Sequence, residues 1–360
     1  MSENPTSAKA PAGSKTGSSA EASAKAGRYL KYAIGEIILV VIGILIALSL
    51  NNWNEKRKQE ADFDKLIDAL ENEIIEIIDE ANYEIAWARE VQSNASKILL
   101  NEISRKELLE DGNLRGLITL NRLDINSDDV SSLVNRQEDF PENYKVLIPH
   151  LKNYLKIEER YTESEIEYGE QITGYTDFLI KTQPWFSAIN VVVLDSAALN
   201  KRVDFILKNP VYKNYLTSYV DGYKYSLREM IGVRSACLAI LAEIKRIRGD
   251  FKADDIKELF GKYNITPYTE IGCEESEKPT GYFNEPPTYL PLFNSSNEIS
   301  TVKWIDYGDN SVQEIQLKPG ELKINPASKR MPENVVLEII RNGECIMKYQ
   351  AKENGFLLVQ

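Results

Sequence analysis

YLKYAIGEIILVVIGILIALSLNNW, residues 29 to 53, decides how this chain is built. From Ile37 to Leu50 it carries no charge, only Leu, Ile, Val and Ala with two isolated small residues, Gly43 and Ser49. The 19 residues from Tyr32 to Leu50 cover roughly 28 Å as a helix, close to the hydrocarbon thickness of a bilayer. Tyr29, Tyr32 and Trp53 fall at interface depth, and Arg28, Lys31, Lys56, Arg57 and Lys58 lie just beyond them, as expected of a membrane-spanning segment. Ala47-Leu48-Ser49 loosely resembles a cleavage site, but the apolar run continues up to it and a long tail precedes it, which favours a retained signal-anchor. A buried helix of a soluble domain fits less well, because the run is apolar on every face.

Two residues inside the span invite sharper readings. Glu36 is ionisable, yet it lies about one turn from the interface, where it can snorkel toward Lys31 or headgroups rather than serve transport. Gly43-x3-Ala47 permits close approach of a second span and is the basis for expecting a homo-oligomer. Orientation rests on little charge asymmetry: Lys15, Lys25, Arg28 and Lys31 precede the span, and Lys56, Arg57, Lys58 and Lys65 follow it. A long domain after a first hydrophobic segment translocates largely regardless of charge. The expectation is therefore a single-pass protein with the short tail inside and the large acidic part outside.

The string GRYLKYAIGEIILVVIGILIALSLNNWNEKRK, with its Gly35-Glu36 pair and Asn51-Asn52-Trp53-Asn54 exit, resembles the signature of a family of bacterial single-span membrane proteins of unknown function. The resemblance covers Tyr29 to Lys58. It implies an anchored protein with a helical region after the span, and it supplies no activity. With the topology above, the expected location is the bacterial inner (cytoplasmic) membrane with a periplasmic C-terminal part.

Composition narrows the rest. The chain has 360 residues, 43% of them apolar, and a net charge of −12 without a basic stripe, so it can build cores and nucleic acid is not an expected partner. Residues 1–28, rich in Ser, Ala, Gly, Pro and Lys, read as a disordered tail. Cys237, Cys273 and Cys345 are odd in number and far apart; they read as core residues or free thiols, with a Cys237–Cys273 disulfide as the alternative. The single histidine, His150, reads as a surface or packing residue. No Gly-rich phosphate loop, CxxC, HExxH or GxSxG occurs, so no catalytic residue, cofactor site or metal site is assigned.

Beyond the span, apolar residues recur at steps of three or four from Phe63 to Ile98, which predicts one helix ending near Asp111-Gly112. After a connector with a cap-like Asn126-Ser127-Asp128-Asp129 start, a second helix runs from Pro141 to about Thr182. Its stripe is Tyr144, Leu147, Leu151, Tyr154, Tyr161, Tyr168, Ile172, Tyr175 and Leu179, interrupted by Glu158 and Glu165. Ser196–Leu207 and a long helix from Asn209-Pro210 to about Gly249 follow, then a short one over 254–262. These elements predict an antiparallel helical bundle over 54–262, with an intermolecular coiled coil as the alternative. The tyrosines are expected to form bundle core with hydroxyls at its margin.

Residues 263–291, punctuated by Pro267, Pro279, Gly281, Pro286, Pro287 and Pro291, read as a linker. From there the period changes to two, with strands over 301–307, 312–317, 335–340 and 345–349, and turn signals at Gly308-Asp309-Asn310, Pro319-Gly320 and Asn342-Gly343. This predicts a small antiparallel β-sandwich over 292–360 and an α+β chain overall. FNSS, Trp304-x-Asp306, Leu317-x-Pro319-Gly320-Glu321 and Gly343-Glu344-Cys345-Ile346 resemble the β domain of the von Hippel–Lindau type over 293–349. That family's best-known member reads hydroxyproline with Ser, His and Trp. Here no histidine follows His150 and Trp304 belongs to an earlier strand, so the resemblance implies a fold and protein binding but not that ligand. Trp304, Asp306 and Tyr307 are the candidate interaction residues.

The functional expectation is a membrane-anchored, non-enzymatic scaffold whose partners are the lipid bilayer and another envelope protein. The alternative is a sensory or small-ligand-binding bundle that acts through a partner membrane protein.

Overall fold

The computed structural model describes residues 18–119, 123, 125, 127–186, 196–249, 253–274, 291–306, 311–324, 335–351 and 355–360, with side chains from Gly35 on except at 113, 253, 254 and 306. The chain is α+β, and its contacts divide it into a unit up to Lys65 and a unit from Leu66 to Gln360.

Helix α1, Ser18–Leu99, begins inside the tail read as disordered. The reason is local: Ala20, Ala22, Ala24 and Ala26, with Glu21 and Lys25, are strong helix formers, and no proline follows Pro11 before the span. Residues 1–17 lie outside the described ones. In the first unit every side chain from Gly35 to Trp53 is exposed, Leu39 at 73% and Ile37 at 63%. Arg57 lays its guanidinium over the Trp53 ring, 5.3 Å from the centroid. This is a helix long and apolar enough to cross a membrane.

From Leu66 on, α1 changes character and buries Ile67, Leu70, Ile74, Ile78, Ala81, Ile85, Ala88 and Ile98 at 1% exposure or less. It stops at Leu99, short of the Asp111-Gly112 expected from periodicity. Asn101 takes φ 60°, the Asn101 amide donates to Ile98 O and the Glu102 amide donates to Lys97 O. This is a Schellman stop built on Asn instead of Gly. Helix α2, Arg105–Glu110, follows through a complete capping box between Ser104 and Glu107. Helix α3 is Gly112–Arg115 and α4 is Asp128–Asn135. Ser127 occupies the N-cap of α4 without a side-chain bond, and Asn126 of the expected cap lies outside the described residues.

The other long helices fall close to where the sequence places them, except that the one expected from Pro141 starts at Leu147, after a 3-10 turn over Glu142–Tyr144. Helix α5 is Leu147–Thr182, ended before Pro184-Trp185; α6 is Ser196–Lys208. Helix α7, Pro210–Ile247, is capped by the Asn209 side chain, which accepts from the Val211 and Tyr212 amides at 2.8 and 3.2 Å. It ends before Gly249 at φ 80°. Helix α7 is the centre of the bundle, with Val233 and Ala236 to Ile240 all at 1% exposure or less. Against α1 it runs antiparallel: Lys245 and Arg248 reach Glu71 (3.4 and 2.6 Å), Arg234 Nη1 reaches Asn82 (2.8 Å), and Trp87 meets Tyr223 edge-on. It is antiparallel to α5 too, since Ser226 bonds Glu165 and Tyr212 meets Tyr175. Helices α1 and α5 therefore run parallel, which demands a return connection, and residues 100–146 with α2, α3 and α4 supply it. Helices α2 and α6 are tied by Arg105, which donates to Asp204 (2.6 Å) and Asn200 (2.7 Å).

Helix α8, Ala253–Lys262, leads into nine strands among the described residues: β1 Thr266–Pro267, β2 Thr269–Ile271, β3 Pro291–Asn294, β4 Ser300–Asp306, β5 Ser311–Leu317, β6 Leu322–Ile324, β7 Val336–Arg341, β8 Glu344–Gln350 and β9 Gly355–Val359. The segment read as a linker thus contributes β1 and β2, each placed by pairing with the end of the chain. A five-stranded antiparallel sheet has the order β2-β8-β7-β4-β5. The second sheet, β1-β9-β3-β6, is mixed rather than antiparallel, because β9 runs parallel to both β1 and β3. The period-two reading missed this, since β9 reaches β3 through distant chain instead of a hairpin. Asn342 and Gly343, at φ 52° and 85°, close the β7–β8 hairpin as their dipeptide predicts.

Leu292, Leu357 and Val359 from the mixed sheet share one core with Val302, Trp304, Leu337, Ile339 and Tyr349 from the other. Asn294 is fully buried there with its amide satisfied: Nδ2 donates to Glu298 O and Leu317 O, and Oδ1 accepts from Ser296. Phe260 of α8 meets Phe356 of β9 at 4.6 Å, joining helices to strands.

Candidate functional site

Of the span residues, Tyr32 lies in α1 with its side chain outside the described set, while Glu36, Gly43, Ala47, Leu50 and Trp53 are all exposed on α1. A Cβ added at Gly43 would meet nothing within 4 Å.

Trp304 is not at the surface. It is 2% exposed in the core shared by the sheets, because its position in the β4 alternation puts it on the same face as Val302. Asp306 ends β4 and Tyr307 lies outside the described residues. What β4 offers outward is the opposite set. Lys303 is registered between Glu314 of β5 and Glu338 of β7, and Glu338 faces Lys348 of β8. Opposite charges thus face one another across four strands, which favours this register beside the apolar alternation on the other face. Beside it, Ile305 and Val312 face each other across β4 and β5 and are 45% and 66% exposed. Strand β5 is the edge of its sheet, and Lys323 donates to Gln316 O at 2.7 Å, a charged cover over part of that edge.

The three cysteines resolve differently from either reading. Cys273, just after β2, is bonded to Cys345 of β8, with Cα atoms 6.2 Å apart. Cys237 is fully buried in α7, free, and its thiol is pushed up by burial. Burial on α7 removes Cys237 from reach of Cys273. The β2–β8 pairing, in contrast, brings Cys273 and Cys345 together.

In the bundle the tyrosine stripe is core, but it is not purely apolar. Leu147, Tyr154, Tyr161, Tyr168 and Tyr175 recur every seven residues on α5 and are all buried. Tyr168, Tyr219 and Tyr223 form one ring cluster with centroids 5.1 to 5.6 Å apart. Glu165, one of the two acids that interrupt the stripe, sits beside that cluster at 6% exposure and accepts from Ser226 Oγ at 2.6 Å. Tyr161 accepts from the Leu123 amide at 2.8 Å, and Tyr219 donates to Thr119 O at 3.1 Å. Burial raises all these phenols, Tyr219 to about 12, so they stay neutral donors at any physiological pH. One turn further along, Glu229 is 1% exposed and ion-paired with Arg228 and, at 3.6 Å, with Arg160. The sequence marks Glu165 only as a break in an apolar stripe and gives no sign of Glu229.

Glu73 of α1 is pushed up to about 7, first by burial, then by its hydrogen bond to Asp129 and by the charges of Asp129, Asp128 and Glu76. A carboxyl with a raised folded pKa binds its proton more tightly when folded, so its contribution to stability is present at low pH and lost as pH rises through about 7. Glu73 keeps part of its solvent contact, so screening reduces the effect to about 1 kcal/mol. Urea unfolding of the full chain should show the wild type losing stability between pH 5 and pH 8 relative to Glu73→Gln. Parallel pH profiles for the two proteins would remove the assignment.

Among the described residues no group of three or more His, Cys, Asp and Glu side chains is arranged to hold a metal ion. Residues 36–82 match the model of a family of unknown function (DUF6090), from Glu36 through the first buried turns of α1. No curated protein and no solved structure matches the chain, and the von Hippel–Lindau-type resemblance of the C-terminal part finds no counterpart there.

Proposed function

We propose that this chain is a single-span, non-enzymatic scaffold of the bacterial inner membrane. On this reading residues 29–53 cross the bilayer, the bundle and β part stand on the periplasmic side, and the two sheets act as a sandwich that binds another envelope protein. The observation that carries the compartment is the Cys273–Cys345 disulfide, since such bonds persist in oxidising compartments and are rare in the cytosol. The fully exposed apolar stretch of α1 supports the anchor, because monomeric soluble proteins rarely leave such a surface in water. The surface for a partner is the β4–β5 corner with Ile305 and Val312, in place of the buried Trp304.

Topology and oxidation can be read in one experiment. Spheroplasts expressing the full chain with a C-terminal epitope are treated with protease, and parallel samples are alkylated with a maleimide before and after reduction. Digestion of the C-terminal part, with two cysteines that react only after reduction, is expected. A protected epitope and three cysteines masked only by folding would overturn the reading. Site-specific photo-crosslinking from Val312 should then capture one envelope protein in stoichiometric yield.

A further inference from the structure

We propose that the end of the bundle where α1 and α5 finish and α7 begins is a docking surface for an anionic lipid bilayer. Contacts hold these helix ends together. Lys213 Nζ in the first turn of α7 donates to Asn101 Oδ1, just past α1, at 2.6 Å. Phe178 in the last two turns of α5 meets Tyr215 of α7 with ring centroids 5.3 Å apart, and Phe205 of α6 meets Tyr212 at 5.6 Å. Each of the three ends leaves an aliphatic side chain in water: Leu100 is 65% exposed, Ile180 61% and Val211 40%. Tyr175, Trp185, Phe205 and Tyr212 of the same end are buried.

The charge here is opposite to that of the chain. The protein carries a net charge of −12, but over 196–213 Lys201, Arg202, Lys208 and Lys213 are offset only by Asp204. Asp204 is itself shared between Arg105 and Lys208, at 2.6 and 3.0 Å. Lys97 and Lys201 are exposed and have no ion-pair partner among the described residues. Exposed aliphatic side chains together with lysines match the interface of an anionic bilayer, where the apolar groups enter between headgroups and the ammonium groups meet phosphates. A protein partner fits less well, since protein interfaces are enriched in aromatic residues and depleted in Lys. This surface lies outside the span and outside the β4–β5 corner, so it stands or falls independently of the scaffold reading.

The test holds the full chain in phosphatidylcholine nanodiscs and floats it with added vesicles of phosphatidylcholine, with or without phosphatidylglycerol. Co-flotation with the phosphatidylglycerol vesicles alone, weakened by salt, is expected. Lys56, Arg57 and Lys58 beside the span also attract anionic lipid, so variants of the bundle end decide. Leu100→Glu should lower the apparent affinity about tenfold or more, and Lys201→Glu about fivefold or more. Ile166→Glu, at a site on α5 that is 60% exposed but away from this end, should bind like the wild type. All three side chains are exposed, so the variants keep the fold. The proposal fails if the chain ignores anionic vesicles, if it takes up neutral ones equally, if either end variant binds unchanged, or if Ile166→Glu is weakened as much. Retention on polyglutamate without vesicle binding would assign the surface to an acidic protein and overturn it too.

Discussion

Replacing Cys345 by serine is expected to cost the strands about 4 kcal/mol of stability, on the chain-entropy account for a loop of this size. The two cysteines are 72 residues apart, so in the oxidised unfolded chain the bond closes a long loop that the variant leaves open. The native contacts at risk are specific. Strand β2 has three residues and, among the described residues, pairs only with β8, through Thr269, Glu270 and Ile271. Past it, Lys348 Nζ donates to Cys273 O at 2.7 Å. A three-residue edge strand has little affinity of its own, so the loss should appear there first. Hydrogen exchange on the full chain should show faster exchange of β2 and β8 amides in Cys345→Ser, with α5 and α7 unchanged. Equal protection of β2 with and without the bond would contradict this.

Removing the cations from Glu229 should cost far more than removing Glu229 itself. The Glu229 side chain is 2% exposed, whereas those of Arg228 and Arg160 are 21% and 29% exposed. In the double variant Arg160→Met, Arg228→Met the carboxylate stays in the core without these two counter-charges, a loss of about 3–5 kcal/mol. In Glu229→Met the two arginines can turn their heads to water and the methionine fills apolar space, so less than about 2 kcal/mol is expected. Denaturant unfolding of the three proteins at pH 7 gives the comparison directly. Equal losses in the two variants would show that the pair is effectively solvated.

The helical half was largely legible because helix signals are local. Steps of three and four from Ile67 to Ile98, the seven-residue spacing of the α5 tyrosines, and Asn209 followed by Pro210 each act within a few turns. The Asn342-Gly343 turn is local in the same way. Where local rules have two solutions the reading drifted. Asn101 ended α1 early with a left-handed residue that the sequence does not distinguish from a helical asparagine. Glu165 looked like a flaw in a stripe and proved to be a buried group with its own donor.

By itself, then, the sequence determined an apolar helix near the N-terminus, amphipathic helices with a tyrosine face, and alternating strands after residue 291. All of these are periodicities that a chain carries wherever it folds. Tertiary structure alone decided that β9 lies parallel between β1 and β3, that Cys273 meets Cys345 and not Cys237, that Trp304 is core, and that Arg105 of α2 meets Asp204 of α6. Each is a contact between residues far apart in the chain, and its energy exists only once both partners have been brought together.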